Sequence, residues 1–412
     1  MCTRRGVTSA ATLLTFPLLS LMANAQTNPP VAEQVAIARV APAPQIDSVQ
    51  RTTNASVSVD SVRKVSSDSV SAKPAEKKVP AAPAVDINFG SMTLGGLLQA
   101  WYTDGSGASD NSFRLRRAEL KLAGKINTNV SWTVMIDGAK ALSVNSTYVV
   151  VDGKKVLADQ TVSQSSRMLQ DAFVSLTPGK SGFKFNIGQF KIPFTNEGTS
   201  PTAKVSTVEQ PMFISDRSRG AVANVRDLGA MITQSPLKSV DYSVGVFNGS
   251  GDTQNGVDQN DQKALVGRVA VRQLRNKLQL GISGVMGGKP AADRARRDRA
   301  AGDIQYTDKK LTVRSEYVRA IDGGLQRTGY YVFGGFKVHE KYEAVARFDS
   351  WDPNTRLEST AASARAQEFL VGATSMLAGS NAKIQLNVTR RQYTQSLLPT
   401  VHMLLLNVQT AW

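Results

Sequence analysis

The chain has 412 residues, a formal net charge of +16, two histidines and a single cysteine. One thiol excludes a disulfide framework, and so few histidines exclude zinc chemistry of the cysteine–histidine type. The positive charge is scattered over the whole length rather than gathered on one segment, which argues against nucleic acid as a partner.

Residues 1–25 read as an export signal. Arg4 and Arg5 form the positive end, Ala11–Met22 an apolar stretch, and Ala23-Asn24-Ala25 a small-residue cleavage site. The apolar stretch is short for a membrane helix and contains Pro17. Cys2 would leave with this peptide, together with two arginines and no acid, so the mature charge would be +14. Residues 26–86 contain no aromatic side chain, and Asp-Ser-Val recurs at 47–49, 60–62 and 68–70 without heptad spacing. Such a composition buries too little apolar area to offset its ordering entropy. The expectation is a disordered periplasmic linker, with anchoring to the cell wall as the other reading of its length and of Lys77-Lys78.

From 87 onward the texture becomes two-residue alternation punctuated by turn residues. Sixteen strands are predicted, at 89–103, 112–123, 129–138, 168–177, 182–192, 226–235, 239–248, 263–273, 276–287, 300–307, 310–320, 327–338, 342–352, 366–378, 381–392 and 401–412. Phe183, Phe185 and Ile187 share one face against Lys184 and Asn186, and Leu278, Leu280 and Ile282 oppose Gln279 and Gly281. A strand covered on both sides by a protein core would be apolar on both faces. The last of them carries Leu404, Leu406 and Val408 in phase with the terminal Trp412. That is the pattern of a strand with lipid on one side and an aromatic at the membrane interface.

Connection lengths sharpen the reading. Even-numbered strands are followed by tight turns such as Pro178-Gly179-Lys180-Ser181, Leu274-Arg275 and Asp308-Lys309, and every odd-numbered strand by a longer polar loop, the longest at 139–167 and 193–225. No apolar run reaches helical spanning length, and a closed barrel is the other structure that satisfies every backbone group in lipid. The expected fold is therefore all-β: a transmembrane antiparallel β-barrel of about sixteen strands over 87–412, with short periplasmic turns and long external loops.

Three sequence pieces carry a resemblance. Phe113-Arg114-Leu115-Arg116-Arg117-Ala118-Glu119-Leu120, Gly188-Gln189-Phe190-Lys191-Ile192-Pro193-Phe194 and Arg226-Asp227-Leu228-Gly229 follow one another in the order seen in the phosphate-selective porin O/P family, which the chain resembles. The resemblance implies a sixteen-stranded homotrimeric channel for anions, whose third loop, here Thr195–Val225, folds inward to narrow the pore. The family's phosphate-binding lysines and tyrosines find no secure counterpart; Tyr102 and Tyr148 are the aromatic candidates near early loops.

The residues point the same way. An anion pore needs fixed cations in a water-filled, low-dielectric channel, and arginine offers paired donors to oxyanions while staying charged. Arg114, Arg116 and Arg117 are the first candidates, either lining the pore or pairing with Glu119. Phe113 and Leu115 are apolar in one phase, Ala118, Leu120 and Leu122 in the other, which a bulge, or the end of the lipid-facing stretch, near Arg116-Arg117 would explain. The third loop adds Lys204, Arg217, Arg219 and, at its return, Arg226. Lys191 at a strand exit, Arg268 and Arg272 on one strand face, and Asp137 as a balancing acid complete the set. Arg314 with Glu316, and Arg347 with Asp349, read as structural ion pairs across the wall. His339 falls in a turn and His402 on an outward phase, so neither is placed as a general base, and no enzyme or cofactor chemistry is expected. Asp252, Asp258 and Asp261 lack the spacing and terminal glutamate of a calcium loop. The expected partners are permeating anions, phosphate above all, with outer-membrane lipid and lipopolysaccharide outside. A weakly selective pore for small hydrophilic solutes is the other channel reading.

Overall fold

A computed structural model describes residues 91–106, 111–151, 154–164, 167–249, 262–287, 296–357, 360, 363–394 and 398–412. The export signal, the linker of 26–86 and the three aspartates of the fourth loop lie outside the described residues.

Among the described residues there are eighteen strands: β1 Ser91–Gly105, β2 Ser112–Lys125, β3 Val130–Asp137, β4 Leu142–Val151, β5 Lys154–Gln164, β6 Leu169–Leu176, β7 Lys184–Lys191, β8 Arg226–Leu237, β9 Val240–Phe247, β10 Ala264–Gln273, β11 Leu278–Met286, β12 Arg297–Thr307, β13 Leu311–Asp322, β14 Leu325–His339, β15 Tyr342–Asp352, β16 Ala366–Ala378, β17 Ala382–Tyr393 and β18 Val401–Ala411. Sixteen of them close into one antiparallel barrel in sequence order, β1 pairing with β18, while β4 and β5 form a separate hairpin.

Side-chain alternation fixes which way each strand faces. On β17, Lys383, Gln385, Asn387 and Thr389 are buried, whereas Ile384, Leu386 and Val388 are exposed. Polar inside and apolar outside inverts the pattern of a soluble sheet and fits a barrel whose outer face meets hydrocarbon. Aromatic side chains take the outward phase near both ends of the strands. Tyr330, Phe348 and Phe369 form a contiguous set towards the long loops, with centroids 6.0 and 4.8 Å apart. Phe336, Tyr342 and Trp412 are exposed towards the short turns. These are the two girdles of a membrane barrel.

Two details differ from the sequence expectation. The loop predicted at 139–167 contains the β4–β5 hairpin. The connection between β13 and β14, expected to be a longer loop like those after the other odd-numbered strands, is the two-residue turn Gly323-Gly324, Gly323 taking a φ of 64°. Both flanking strands run further than predicted and leave room for nothing more than a hairpin turn, which glycine permits.

Candidate functional site

The β1–β2 pair carries the predicted irregularity. Gln99 faces Arg117 and Ala100 faces Leu115, so Arg116 is the extra residue of a bulge. A bulge lets neighbouring residues share a face that strict alternation would divide between them. Phe113 and Leu115 are exposed on the outside. The guanidinium carbons of Arg114 and Arg116 lie 5.3 and 5.2 Å from the ring centre of inward-facing Trp101, which is 1% exposed. Arg117 donates to Gln99 Oε1 at 2.5 Å and its Nε lies 3.7 Å from Glu119. Three guanidiniums thus converge on one inner face, two of them stacked on one indole.

Opposite them runs the segment between β7 and β8. It contains two short helices, α1 Asn196–Thr199 and α2 Met212–Ser215. Its backbone is held by inward-facing side chains on distant strands. Glu316 on β13 accepts from the amides of Asn196 and Glu197 at 3.0 and 2.7 Å, and Asp349 on β15 accepts from Met212 N at 3.2 Å. Asn387 on β17 accepts from Val208 N at 2.6 Å, Lys383 donates to the Val205 carbonyl at 2.6 Å, and Gln409 on β18 to that of Ala203 at 3.0 Å. Anchors so far along the strands mean that the segment lies against the inner wall. These bonds also answer where an irregular backbone inside a barrel finds partners.

Apolar contacts complete the anchoring. Met212, Phe213 and Ile214 of α2 are buried in one cluster with Val318, Ala320, Tyr331, Phe333, Val345, Trp351 and Leu370 from the inner faces of β13 to β16. Phe213 stacks on Tyr331 with centroids 6.0 Å apart. A Cβ at Gly329 would stand 2.8 Å from the Trp351 ring and 3.0 Å from Phe213, so this glycine makes the room.

Between the segment and the other wall is a cavity of about 380 Å³, whose charged lining is Glu119, Lys121, Asp171, Lys191 and Arg226. Arg226 pairs with Asp171 at 2.7 Å and Lys191 donates to the Ser200 carbonyl at 3.0 Å. Of the sequence candidates, Arg114, Arg116, Arg117, Lys191 and Arg226 therefore stand on this side of the lumen. Asp137 is buried beside Glu119, with Oδ1 accepting from Ala118 N at 3.0 Å and Ala139 N at 3.2 Å and Oδ2 3.2 Å from Lys140 Nζ. It terminates β3 rather than facing the cavity. Burial pushes the Lys140 ammonium below its usual range, and Asp137 partly opposes this.

The other candidates are dispersed. Arg219 lies over Tyr393, donates to the Ala364 carbonyl and stands 3.5 Å from Asp216, while Arg217 and Lys204 are exposed. Arg268 makes a two-pronged pair with Asp303 at 2.5 and 2.9 Å across Gly281. Arg272 pairs with Asp241 near a short turn. Arg347 does pair with Asp349, at 3.1 Å, and with Glu368 at 3.2 Å. Arg314, expected beside Glu316, instead reaches Glu197 of α1 at 3.2 Å, because both Glu316 oxygens are taken by loop amides. Sequence reasoning passed over Glu197 and Glu209; the signal available was that they are acids in an otherwise basic loop.

The three motif pieces also serve the architecture. Gly188 has a φ of 133° and a Cβ there would stand 2.3 Å from the Ala172 carbonyl; its register partner Gly229 is as tightly approached by the Val246 carbonyl. Gln189 donates to the carbonyls of Leu169 and Gln170, both at 2.9 Å, and Asp227 accepts from Gly249 N at 2.8 Å where the fourth loop begins.

A closed barrel of this strand number, greasy outside and polar within, with a loop anchored to its inner wall, defines a porin-type channel of the outer membrane. Residues 98–324 match the model of the family described as phosphate-selective porin O and P, and the chain belongs to that family. It is a family of channels, not of enzymes. No curated protein matches the sequence. Among solved structures, the chain is similar to Salmonella typhi OmpF in complex with daunomycin, at 11% identity and a TM-score of 0.54, covering 79% of this chain and 98% of that one. It is also similar to the anion-selective porin from Comamonas acidovorans, at 12% identity and 0.52, with 78% and 99% covered. The trimer form of Vibrio cholerae OmpT aligns at 10% identity and 0.51, with 78% and 99% covered. At such identities the likeness is one of fold.

Proposed function

We propose that this porin lets anions, phosphate and polyphosphate-like ions among them, diffuse passively through a basic lumen narrowed by its third loop. The observation that carries the reading is the β2 bulge, which sets Arg114, Arg116 and Arg117 on one inner face opposite that loop. Fixed guanidiniums in a narrow aqueous path walled by low-dielectric material raise local anion concentration and replace part of the ion's hydration. Lys191 and Arg226 extend the cationic surface along the adjoining cavity, with Lys204, Arg217 and Arg219 adding charge to the loop. Arg268 and Arg272, each paired with an aspartate, serve the wall more than the solute.

The working unit is a homotrimer, as the trimer form of one structural neighbour suggests. Its outer band meets membrane lipid and lipopolysaccharide. Residues 1–25 direct export, and 26–86 form a tail in the periplasm. Glu119 and Asp171 in the cavity lining favour a second reading, a weakly selective pore for small hydrophilic solutes, because acids beside bases reduce the net field.

Reconstitution in a planar bilayer across a potassium chloride gradient separates the two. The expected result is a reversal potential on the anion side and a chloride current reduced by added phosphate. A potential near zero without block would leave the weakly selective pore.

A further inference from the structure

The arginine cluster has a neighbour of the wrong sign. Glu209 lies in the third loop between α1 and α2, and its main chain is held by β15. Its carbonyl accepts from Arg347 on β15 at 2.7 Å and from Thr207 Oγ1 at 2.6 Å, and Arg347 is itself fixed by Asp349 and Glu368. From this clamped backbone the side chain ends with Oε1 3.9 Å from Nη2 of Arg116, the same oxygen accepting from Gln210 N at 3.4 Å.

Three features set this pair apart from the buried Arg268–Asp303 pair of the wall. The side chains are 29% and 25% exposed, whereas those of Arg268 and Asp303 are 10% and 1%. The separation is 3.9 Å, against about 2.7–2.9 Å for a charge-assisted hydrogen bond. Arg116 also lies over the Trp101 ring, a contact that does not involve the acid. The pairing with Glu209 is thus solvent-reached and loose.

We propose that Glu209 is a resident counter-anion, occupying the field of Arg114, Arg116 and Arg117 until a permeating oxyanion displaces it. The inference rests on the anion reading above and deepens it by naming the residue that sets how tightly the site holds its solute. Three converging guanidiniums alone would bind a divalent oxyanion strongly, and conduction requires that a bound ion also leave. A tethered carboxylate cancels part of the field when the solute is absent and competes for the same donors when it is present. It discriminates by charge: a divalent phosphate displaces it more readily than a chloride or a monocarboxylate does.

The test uses the exported protein, extracted folded and inserted in planar bilayers, as wild type, Glu209→Gln, Glu209→Ala and Glu209→Asp, with inorganic phosphate as probe. Removing a partly exposed competing charge should raise the anion-to-cation permeability ratio and lower the phosphate concentration for half-block by about fivefold in the Gln and Ala variants. The Asp variant, which keeps the charge, should stay near wild type. In an Arg116→Gln background the effect of Glu209→Gln should shrink to less than about twofold. An anion-selective wild type whose Gln and Ala variants show unchanged phosphate block overturns the inference alone. An effect of equal size with and without Arg116 overturns it too, because the acid would then act elsewhere. A wild type without anion selectivity removes the anion reading and the inference with it.

Discussion

The lumen has two unlike sides. Along β13 to β16 the inner face carries an apolar cluster beside buried charged residues such as Glu316, Arg347 and Asp349, and α2 of the third loop packs onto that cluster, Phe213 being fully buried against Tyr331 and Trp351. Along β1 to β3 and β6 to β8 the inner face carries charge, and a cavity of about 380 Å³ lies between part of it and the same loop, which touches this wall where Lys191 meets the Ser200 carbonyl and Val208 meets Trp101. One side is a small protein core that happens to lie inside a barrel, governed by burial and packing. The other is a solvated surface governed by charge. The division shows how one loop can be rigid and yet border water: it is held from behind, by apolar anchors and by Glu316 and Asp349, so that its front face needs few bonds of its own.

The largest effect should come from breaking the packed side. Phe213→Ala removes a buried aromatic from the centre of the cluster, at a cost of about 3–5 kcal/mol. Part of that loss should appear as lower resistance to denaturant, read from the heat-modifiable mobility of the folded barrel. The rest should appear as a loosened loop, with single-channel conductance larger and noisier than wild type. Conductance identical to wild type would mean that the loop stays in place without its apolar anchor, contrary to the picture of two sides.

Arg116→Gln probes the other side and should give the opposite signature. The side chain is partly exposed and lies on Trp101 instead of filling a core, so stability should change by no more than about 1 kcal/mol. Anion selectivity, read as a reversal potential, should fall about two- to threefold because one of three clustered charges is lost. A variant that lost stability and kept selectivity would place Arg116 with the structural arginines such as Arg268.

How much of this was legible beforehand follows the same division. The barrel was readable because lipid outside and water inside impose strict alternation, as on Ile384–Thr389, and because turn residues mark the short connections. The bulge was readable from the jump in apolar phase between Leu115 and Ala118, and the structure places the extra residue at Arg116. The apolar cluster in the lumen was not, since β14 carries large residues on both faces, as in Tyr330-Tyr331-Val332-Phe333, and alternation cannot say what lies inside. That run was the available signal, together with Met212-Phe213-Ile214, an apolar triplet in a loop read for its bases. A helix of four residues shows no periodicity to detect. The β4–β5 hairpin has a trace in the sequence, Asp152-Gly153 between two β-branched runs, a strong short-range turn signal that the reading by loop length passed over. Arg314 went to Glu197 rather than Glu316 because ion-pair partners across a lumen depend on where a loop lies, which spacing along a strand does not encode.

The smallest effect belongs to neither side. Asp308, in the short turn between β12 and β13, accepts from the amides of Lys310 and Leu311 at 2.9 Å each. These two backbone donors, with a lesser contribution from Tyr306, hold its carboxyl below the usual carboxylate range. A carboxyl depressed in the folded state stabilises the fold above its unfolded value of about 3.9, and that contribution fades as pH falls through the lower folded value. Asp308→Asn keeps an oxygen for the amides and removes the charge. It should therefore unfold slightly more easily than wild type near pH 7, and the two denaturation midpoints should converge as the pH is taken to about 2. Conductance and reversal potential should not move, since the turn touches neither the packed loop nor the arginine face. A change in either would couple the turn to the lumen and blur the two-sided division, whereas unchanged currents with a pH-dependent midpoint would show that stability and permeation can be altered separately in this barrel.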